Sequence, residues 1–154
     1  MDFITDANEE LKRVDHLVYV SLKYTRTVDM LMNAVSRMVD AYDFIFKAII
    51  QNAIDKEKIK EMPSTPIERG RLVQSLHEDD DQIVDNVELC FLLRKLHRVA
   101  NPEKEQEYRR HVKMTTFIDG REEILNIDII TQYYHYQREF FDKIALLMAS
   151  SGED

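Results

Sequence analysis

Seven lysine and arginine residues lie between residues 94 and 113, accompanied by only three glutamates. The stretch therefore carries a charge of +4 within a chain whose formal net charge is −8. Clustered cations neutralise phosphate groups, so the pattern predicts that residues 94–113 bind RNA or another acidic partner. The alternative is a solvated helix end, where cations also interact favourably with the helix dipole. The candidate polyanion-binding residues are Arg94, Lys95, Arg98, Arg109, Arg110 and Lys113, and Lys104 is the seventh cation of the segment.

The residues that other kinds of site require are missing from the sequence. A di-iron carboxylate site in a helical bundle needs Glu-x-x-His pairs, and none of the five histidines follows a glutamate at that spacing. Phosphate-cradling loops need clustered glycines, and the chain has three glycines in all. No segment indicates an oriented base beside a serine or cysteine nucleophile. We therefore predict no metal, no cofactor and no evident catalytic site.

The composition is that of a single globular domain over residues 1–154. Apolar residues make up 44% and charged residues 32%, which favours a folded chain over a disordered one. The net charge of −8 argues against a general nucleic-acid coat, because such a protein needs an overall basic surface. Cys90 is the only cysteine, and we predict it to be a core residue of a protein in a reducing cytosol. No run resembles a signal peptide or a membrane span, so we expect a cytoplasmic protein without a membrane segment.

Two sets of apolar residues have helical spacing. The first 62 residues contain neither glycine nor proline, and their apolar stripe consists of Leu17, Tyr24, Val28, Leu31, Val35, Met38, Tyr42, Ile45 and Ile49. This stripe predicts one very long helix from about residue 6 to residue 61, on which a mainly α-helical bundle is built. Near the C-terminus, the aromatic cluster of Tyr133, Tyr134, Tyr136, Phe140 and Phe141 is expected to be core, the alternative being a surface that stacks on bases or a ligand.

The length of the first helix raises a question of assembly. Even about 45 of these residues in one helix would span about 65–70 Å, whereas a compact domain of this size is only about 40 Å wide. An unbroken helix would leave apolar surface that a second chain must cover, so we predict a homodimer through this helix. The alternative is a break near Thr25–Thr27 and a compact bundle.

Proline and capping residues divide the rest of the helical sequence. Residues 62–66 form a linker, and Thr65 to Glu68 is a capping box that begins a short helix ending near His77. A third helix is predicted from about residue 81 to Ala100, where Asn101-Pro102 stops it. A last helix follows the hairpin described next, and residues 150–154 are expected to fray.

A β-hairpin is predicted at about 111–127, before the C-terminal helix. Apolar and polar residues alternate on both sides of Asp119-Gly120, the strongest short signal for a two-residue turn. That turn places Val112 opposite Ile127 and Met114 opposite Leu125. Either Asn126 or Asp128 can then cap the last helix.

Three segments resemble small archaeal helical proteins of unassigned function. They are Asp6–Lys12, Tyr19–Thr27 and Tyr108–Val112. More distantly, the helical layout is similar to HEPN domains, compact helical dimers that include many ribonucleases. Their active residues are an arginine and, four to six residues later, a histidine. Arg71 and His77, with five residues between them, match this spacing, although Leu72 stands where those proteins usually carry a polar residue.

These observations predict a small cytosolic interaction module, homodimeric, that binds a protein or an RNA partner. The resemblance to HEPN domains implies a different function, a metal-independent endoribonuclease. In that function Arg71 and His77 would polarise a phosphodiester.

Overall fold

A computed structural model describes residues 2–99 and 102–152 of the chain. Its helices are α1 (Phe3–His16), which continues through a π-helical segment (Leu17–Ser21) into α2 (Leu22–Tyr24), and then α3 (Val28–Asp55), α4 (Pro66–Leu76), α5 (Asp81–His97) and α6 (Ile127–Gly152). Within the described residues, β1 (Glu103–Glu105), β2 (Lys113–Ile118) and β3 (Arg121–Asn126) form an antiparallel sheet in that order. The mainly α-helical class with a hairpin before the last helix is confirmed. In the same residues, no helix is long and apolar enough to cross a membrane.

The prediction of one very long N-terminal helix is wrong, because the chain leaves the helical conformation at Thr25–Thr27. Thr25 has φ −127° and ψ 87°. The hydroxyl of Thr27 then caps α3 by accepting a hydrogen bond from the Met30 amide at 3.1 Å. Threonine has a low helix propensity within a helix but is a preferred N-cap residue, so this segment ends one helix and Thr27 begins the next. The overhang on which the dimer prediction depended does not exist.

α1 packs back along α3 and covers part of its apolar surface. Ala7, Leu11 and Val14 are completely buried on the inner face of α1. The buried carboxylate of Glu10 also lies 3.4 Å from a guanidinium nitrogen of Arg37 on α3. Burying a leucine or valine side chain contributes about 1.5–3 kcal/mol, whereas threonines in a helix cost only some tenths. Burial therefore decides that the chain reverses.

Capping residues fix the starts of the other helices. The Thr65 hydroxyl accepts a hydrogen bond from the Glu68 amide at 3.2 Å, as the capping box predicts. Asn126 caps α6 by accepting a hydrogen bond from the Ile129 amide at 2.8 Å. α1 is capped by Asp2 and so begins a few residues before the predicted start.

Two predicted helix ends lie too far along the chain. α3 ends at Asp55, and the following Glu57 adopts a left-handed φ of 62° that no helix continues through. α5 ends at His97, with Arg98 as its C-cap, whereas Ala100 and Asn101 lie outside the described residues. α6 continues to Gly152, and residues 153–154 of the predicted tail are also outside them.

The hairpin is confirmed in its register and its turn. Met114 is opposite Leu125, and the two-residue turn at Asp119-Gly120 has φ values of 52° and 80°, as a type I′ turn requires. Its strands are shorter than predicted, because Ile127 is already the first residue of α6. β1 pairs with β2 but was not predicted, since its three charged, exposed residues give no strand signal.

A hydrogen bond within the core joins α3 to α5. The hydroxyl of Tyr42, which is completely buried, donates to Asn86 Oδ1 at 2.6 Å, and Asn86 Nδ2 donates to the Gln82 carbonyl at 2.8 Å. Burial raises the pKa of Tyr42 well above its ordinary value, so the hydroxyl remains a donor.

Replacing Tyr42 with phenylalanine is expected to lower the free energy of unfolding by about 1–3 kcal/mol, because it leaves Asn86 Oδ1 buried without a donor. Urea unfolding followed by circular dichroism measures the change. The double variant Tyr42→Phe/Asn86→Leu should recover much of the loss, since both polar partners are then gone. A double variant no more stable than Tyr42→Phe would contradict this account.

Candidate nucleic-acid interface

The cations predicted on α5 differ in their availability to a ligand. Arg94 is half-buried, and its Nε is buried without a hydrogen-bond partner among the described residues. Lys95 is exposed and forms an ion pair with Asp119 of the hairpin turn. Arg98 is exposed at the end of the helix. Of these three cations, Arg98 alone is both exposed and, among the residues that the structure describes, outside any ion pair.

The remaining cations are divided between the sheet and the connection before β2. Lys113 Nζ lies 3.0 Å from Glu105 Oε2 across β1 and β2, and Lys104 Nζ lies 3.8 Å from Asp29 Oδ1. Arg109 and Arg110, by contrast, are exposed in the connection. Residues 94–113 line two different clefts: His97 and Lys104 contribute to one, and Arg110 and His111 to the other.

Residues 106–112, here called the docking loop, bind to the break between α2 and α3. The amide of Tyr108 donates to the Arg26 carbonyl at 2.6 Å, and Glu107 Oε1 accepts a hydrogen bond from the Val28 amide at 3.0 Å. Gln106 and Tyr108 have positive φ values of 54° and 66°. Non-glycine residues in this conformation are held there by their surroundings, and they cluster at functional sites.

The docking loop completes a cleft with the start of α6 and the end of the continuous run from α1 to α2 (Phe3–Tyr24), here called the first helical segment. We name the cleft the basic groove; it encloses about 340 Å³, and its polar lining consists of Tyr19, Lys23, Arg26, Arg110, His111, Asp128 and Thr131. Lys23, Arg26 and Arg110 outnumber the single carboxylate, so the groove is positively charged. Only Arg110 belongs to the polyanion-binding residues predicted from the sequence.

Two exposed tyrosines stand next to these cations in the chain. The side chain of Tyr24 is 84% exposed and that of Tyr108 is 76% exposed. Tyr24 is two residues from Arg26, and the amide of Tyr108 is bonded to the Arg26 carbonyl. Aromatic rings that are open to solvent beside cations are the arrangement on which single-stranded bases stack.

A hydrogen bond between distant parts of the chain joins Tyr19, a lining residue of the groove, to α6. The hydroxyl of Tyr19, in the π-helical segment, is bonded to Nε2 of His135 on α6. Next to this pair, the hydroxyl of Tyr134 donates to Asp15 Oδ2 at 3.0 Å. Burial and the hydrogen bond to the Asp15 carboxylate raise the pKa of Tyr134 to about 12, so this hydroxyl keeps its proton.

Arg71 and His77 occupy different positions, one within α4 and the other at its C-terminal end. Arg71 is exposed on α4, and His77 is the C-cap residue of the same helix. Six helical residues turn through about 600°, so the two side chains leave the helix in different directions. His77 lines a cleft with Lys58 and Asp80 to which Arg71 does not contribute. Partial burial there lowers the pKa of His77.

Other residues considered in the sequence lie mainly in the core. Cys90 is a free, buried thiol, and burial raises its pKa to about 12, which makes it a poor nucleophile. In the aromatic cluster, Tyr134, Phe140 and Phe141 are buried, whereas Tyr136 is 37% exposed. Among residues 2–99 and 102–152, no three histidine, cysteine, aspartate or glutamate side chains lie close enough together to hold a metal ion.

Comparisons with known proteins find no matching family model, no matching curated protein and no matching solved structure. Function is therefore argued from the basic groove. Sequence reasoning missed Lys23, Arg26 and Tyr19 as parts of a site, because these residues look like the polar face of an amphipathic helix. The one local signal was the pair of cations interleaved with tyrosines at Tyr19–Arg26.

Proposed function

We propose that the protein binds single-stranded RNA through the basic groove. The observation that carries the proposal is the binding of the docking loop to the break between α2 and α3. This contact adds Arg110 to the groove that Lys23 and Arg26 also line. These cations can neutralise neighbouring phosphates of one strand. The exposed rings of Tyr24 and Tyr108 can stack on its bases.

Single-stranded RNA fits this surface better than a duplex or an acidic protein. Bases are free to turn toward tyrosine rings only where they are unpaired, and a duplex must be held mainly through its phosphates. A chain with a net charge of −8 repels phosphates over much of its surface, which favours a short local contact. An acidic peptide would use the cations but would gain little from two exposed aromatic rings.

Binding of a fluorescein-labelled 12-nucleotide oligouridylate, followed by anisotropy in EDTA, tests the proposal. Neutralising three phosphates should give a slope near −2 when the logarithm of the binding constant is plotted against that of the salt concentration. The double variant Arg26→Glu/Arg110→Glu should bind about 100-fold more weakly, on the order of tenfold per substitution. Tyr24→Ala should weaken binding as well, through the loss of about 1–3 kcal/mol of stacking.

The matched control is Lys56→Glu/Lys60→Glu, which changes two exposed cations outside the groove by the same total charge. This variant should bind the oligouridylate nearly as well as the native protein. Equal losses in both double variants would show that net charge and not the groove governs binding. Displacement of the RNA by polyglutamate at equal charge concentration, with no effect of Tyr24→Ala, would instead favour an acidic protein partner.

A further inference from the structure

We infer that the RNA site continues past the basic groove into a second cleft, and that Tyr19 and His135 form a stacking platform between the two. The inference rests on the proposed function, because it extends the same site. The second cleft encloses about 410 Å³ and is lined by Lys12, Asp15, Tyr134, His135 and Arg138. Neither of its two cations belongs to the segment that the sequence marked as basic.

The two clefts adjoin along the contact between the first helical segment and α6. Tyr19 lines the basic groove, His135 lines the second cleft, and the hydrogen bond between them makes the pair a shared wall. From Lys12 to Lys23 the first helical segment rises about 17 Å at 1.5 Å per residue. A stacked strand that rises about 3.4 Å per nucleotide would cover this length with about five nucleotides.

Three rings hold one another in place at the shared wall. The centroids of Tyr134 and His135 are 5.5 Å apart, and those of Tyr19 and His135 are 6.0 Å apart. Tyr19 and Tyr134 meet edge to face at 6.5 Å. The side chain of Tyr19 nevertheless stays 41% exposed, which leaves ring surface for a base. The hydrogen bond from Tyr134 engages the carboxylate of Asp15, the one anionic group of the second cleft.

The cations of the second cleft can exchange their present partners for a phosphate. Lys12 Nζ lies 3.3 Å from Glu9, and both side chains are more than half exposed. Arg138 Nε lies 3.5 Å from the exposed carboxylate of Asp142. Exposed ion pairs of this kind contribute only about 0–1 kcal/mol, so a phosphate that contacts both cations would replace them at small cost.

Oligouridylates of three and nine nucleotides test the inference by anisotropy on the full chain. The native protein should bind the nine-nucleotide strand at least about tenfold more tightly than the three-nucleotide strand, because only the longer one reaches both clefts. The variant Lys12→Ala/Arg138→Ala should lose about tenfold for the longer strand and almost nothing for the shorter one. Lys56→Ala/Lys60→Ala is the control with the same change of charge.

Two further variants test the platform. Tyr19→Ala should weaken binding of the nine-nucleotide strand, and Tyr19→Phe, which keeps the ring and removes the hydroxyl, should recover most of the affinity. If the native protein binds the longer strand and Lys12→Ala/Arg138→Ala binds it equally well, the second cleft is not part of the site, while the proposed function stands. If the native protein binds neither strand, the proposed function itself fails.

Discussion

Replacement of Arg69 by alanine is expected to lower the free energy of unfolding by about 3 kcal/mol. Arg69 is 8% exposed, and its guanidinium donates to both carboxylate oxygens of Asp43 at 2.8 and 3.0 Å and to the Pro63 carbonyl at 3.0 Å. The substitution leaves the partly buried carboxylate without its bidentate partner. Lys47 Nζ, which lies 3.5 Å from Asp43, would still offset part of the carboxylate's charge. The expected loss of unfolding free energy is therefore at the lower end of the range for broken buried ion pairs.

Arg71→Ala is the matched control for this prediction. It removes the same type of side chain from the same helix, two residues further on, at an exposed position. Urea unfolding should show a change within about 0.5 kcal/mol for the control. If the two variants were equally stable, the contacts of Arg69 with Asp43 and Pro63 would not contribute to the packing of α4 on α3.

Leu11→Ala is expected to cost about 2–5 kcal/mol of unfolding free energy, because Leu11 is completely buried where α1 lies on α3. The neighbouring variant Lys12→Ala, at an exposed position, should change stability by less than about 0.5 kcal/mol. Thermal unfolding at protein concentrations that differ by 50-fold measures both the loss and its origin.

The dependence of the unfolding midpoint on protein concentration distinguishes an α1 that folds back on its own chain from an unbroken, extended helix. If α1 covers α3 of its own chain, the unfolding midpoints of the native protein and of Leu11→Ala should not depend on concentration. In an unbroken helix Leu11 would lie outside the domain and would be buried only by a second chain. Midpoints that rise with concentration in the native protein but not in Leu11→Ala would therefore contradict the fold-back, because Leu11 would then be buried by a second chain.

Local signals in the sequence were sufficient for the hairpin and for several helix boundaries. The turn at Asp119-Gly120 depends only on the positive φ values of those two residues. The helix cap at Thr65 depends only on the backbone amide three residues further on. The break at Thr25–Thr27 was not predictable in this way. The local cost of threonine in a helix is small, and the deciding contribution is the burial of residues such as Leu11 against a helix that follows it in the chain.

The candidate site was only partly visible for the same physical reason. Counting charges along the chain finds Arg109 and Arg110, which are adjacent in sequence, but it also includes Lys113 and Lys95, which form ion pairs in the structure. The groove depends on a contact between Tyr108 and Arg26, and no local pattern indicates that these two residues meet.

The π-helical segment Leu17–Ser21 keeps the two clefts aligned although it holds one residue more than an α-helical turn. Because the extra residue is contained in a single wider turn, the residues before and after it keep nearly the faces of an uninterrupted α-helix. Deleting one residue between Leu17 and Ser21 would therefore give an ordinary helix and leave Lys12 on the side on which α6 lies. Deleting Arg13 would instead rotate Lys12 by about 100° relative to Tyr19, although no side chain of either cleft had been altered. The π-helical segment thus makes the shared surface tolerant of a change in chain length at one place and sensitive to it elsewhere in the same helical segment.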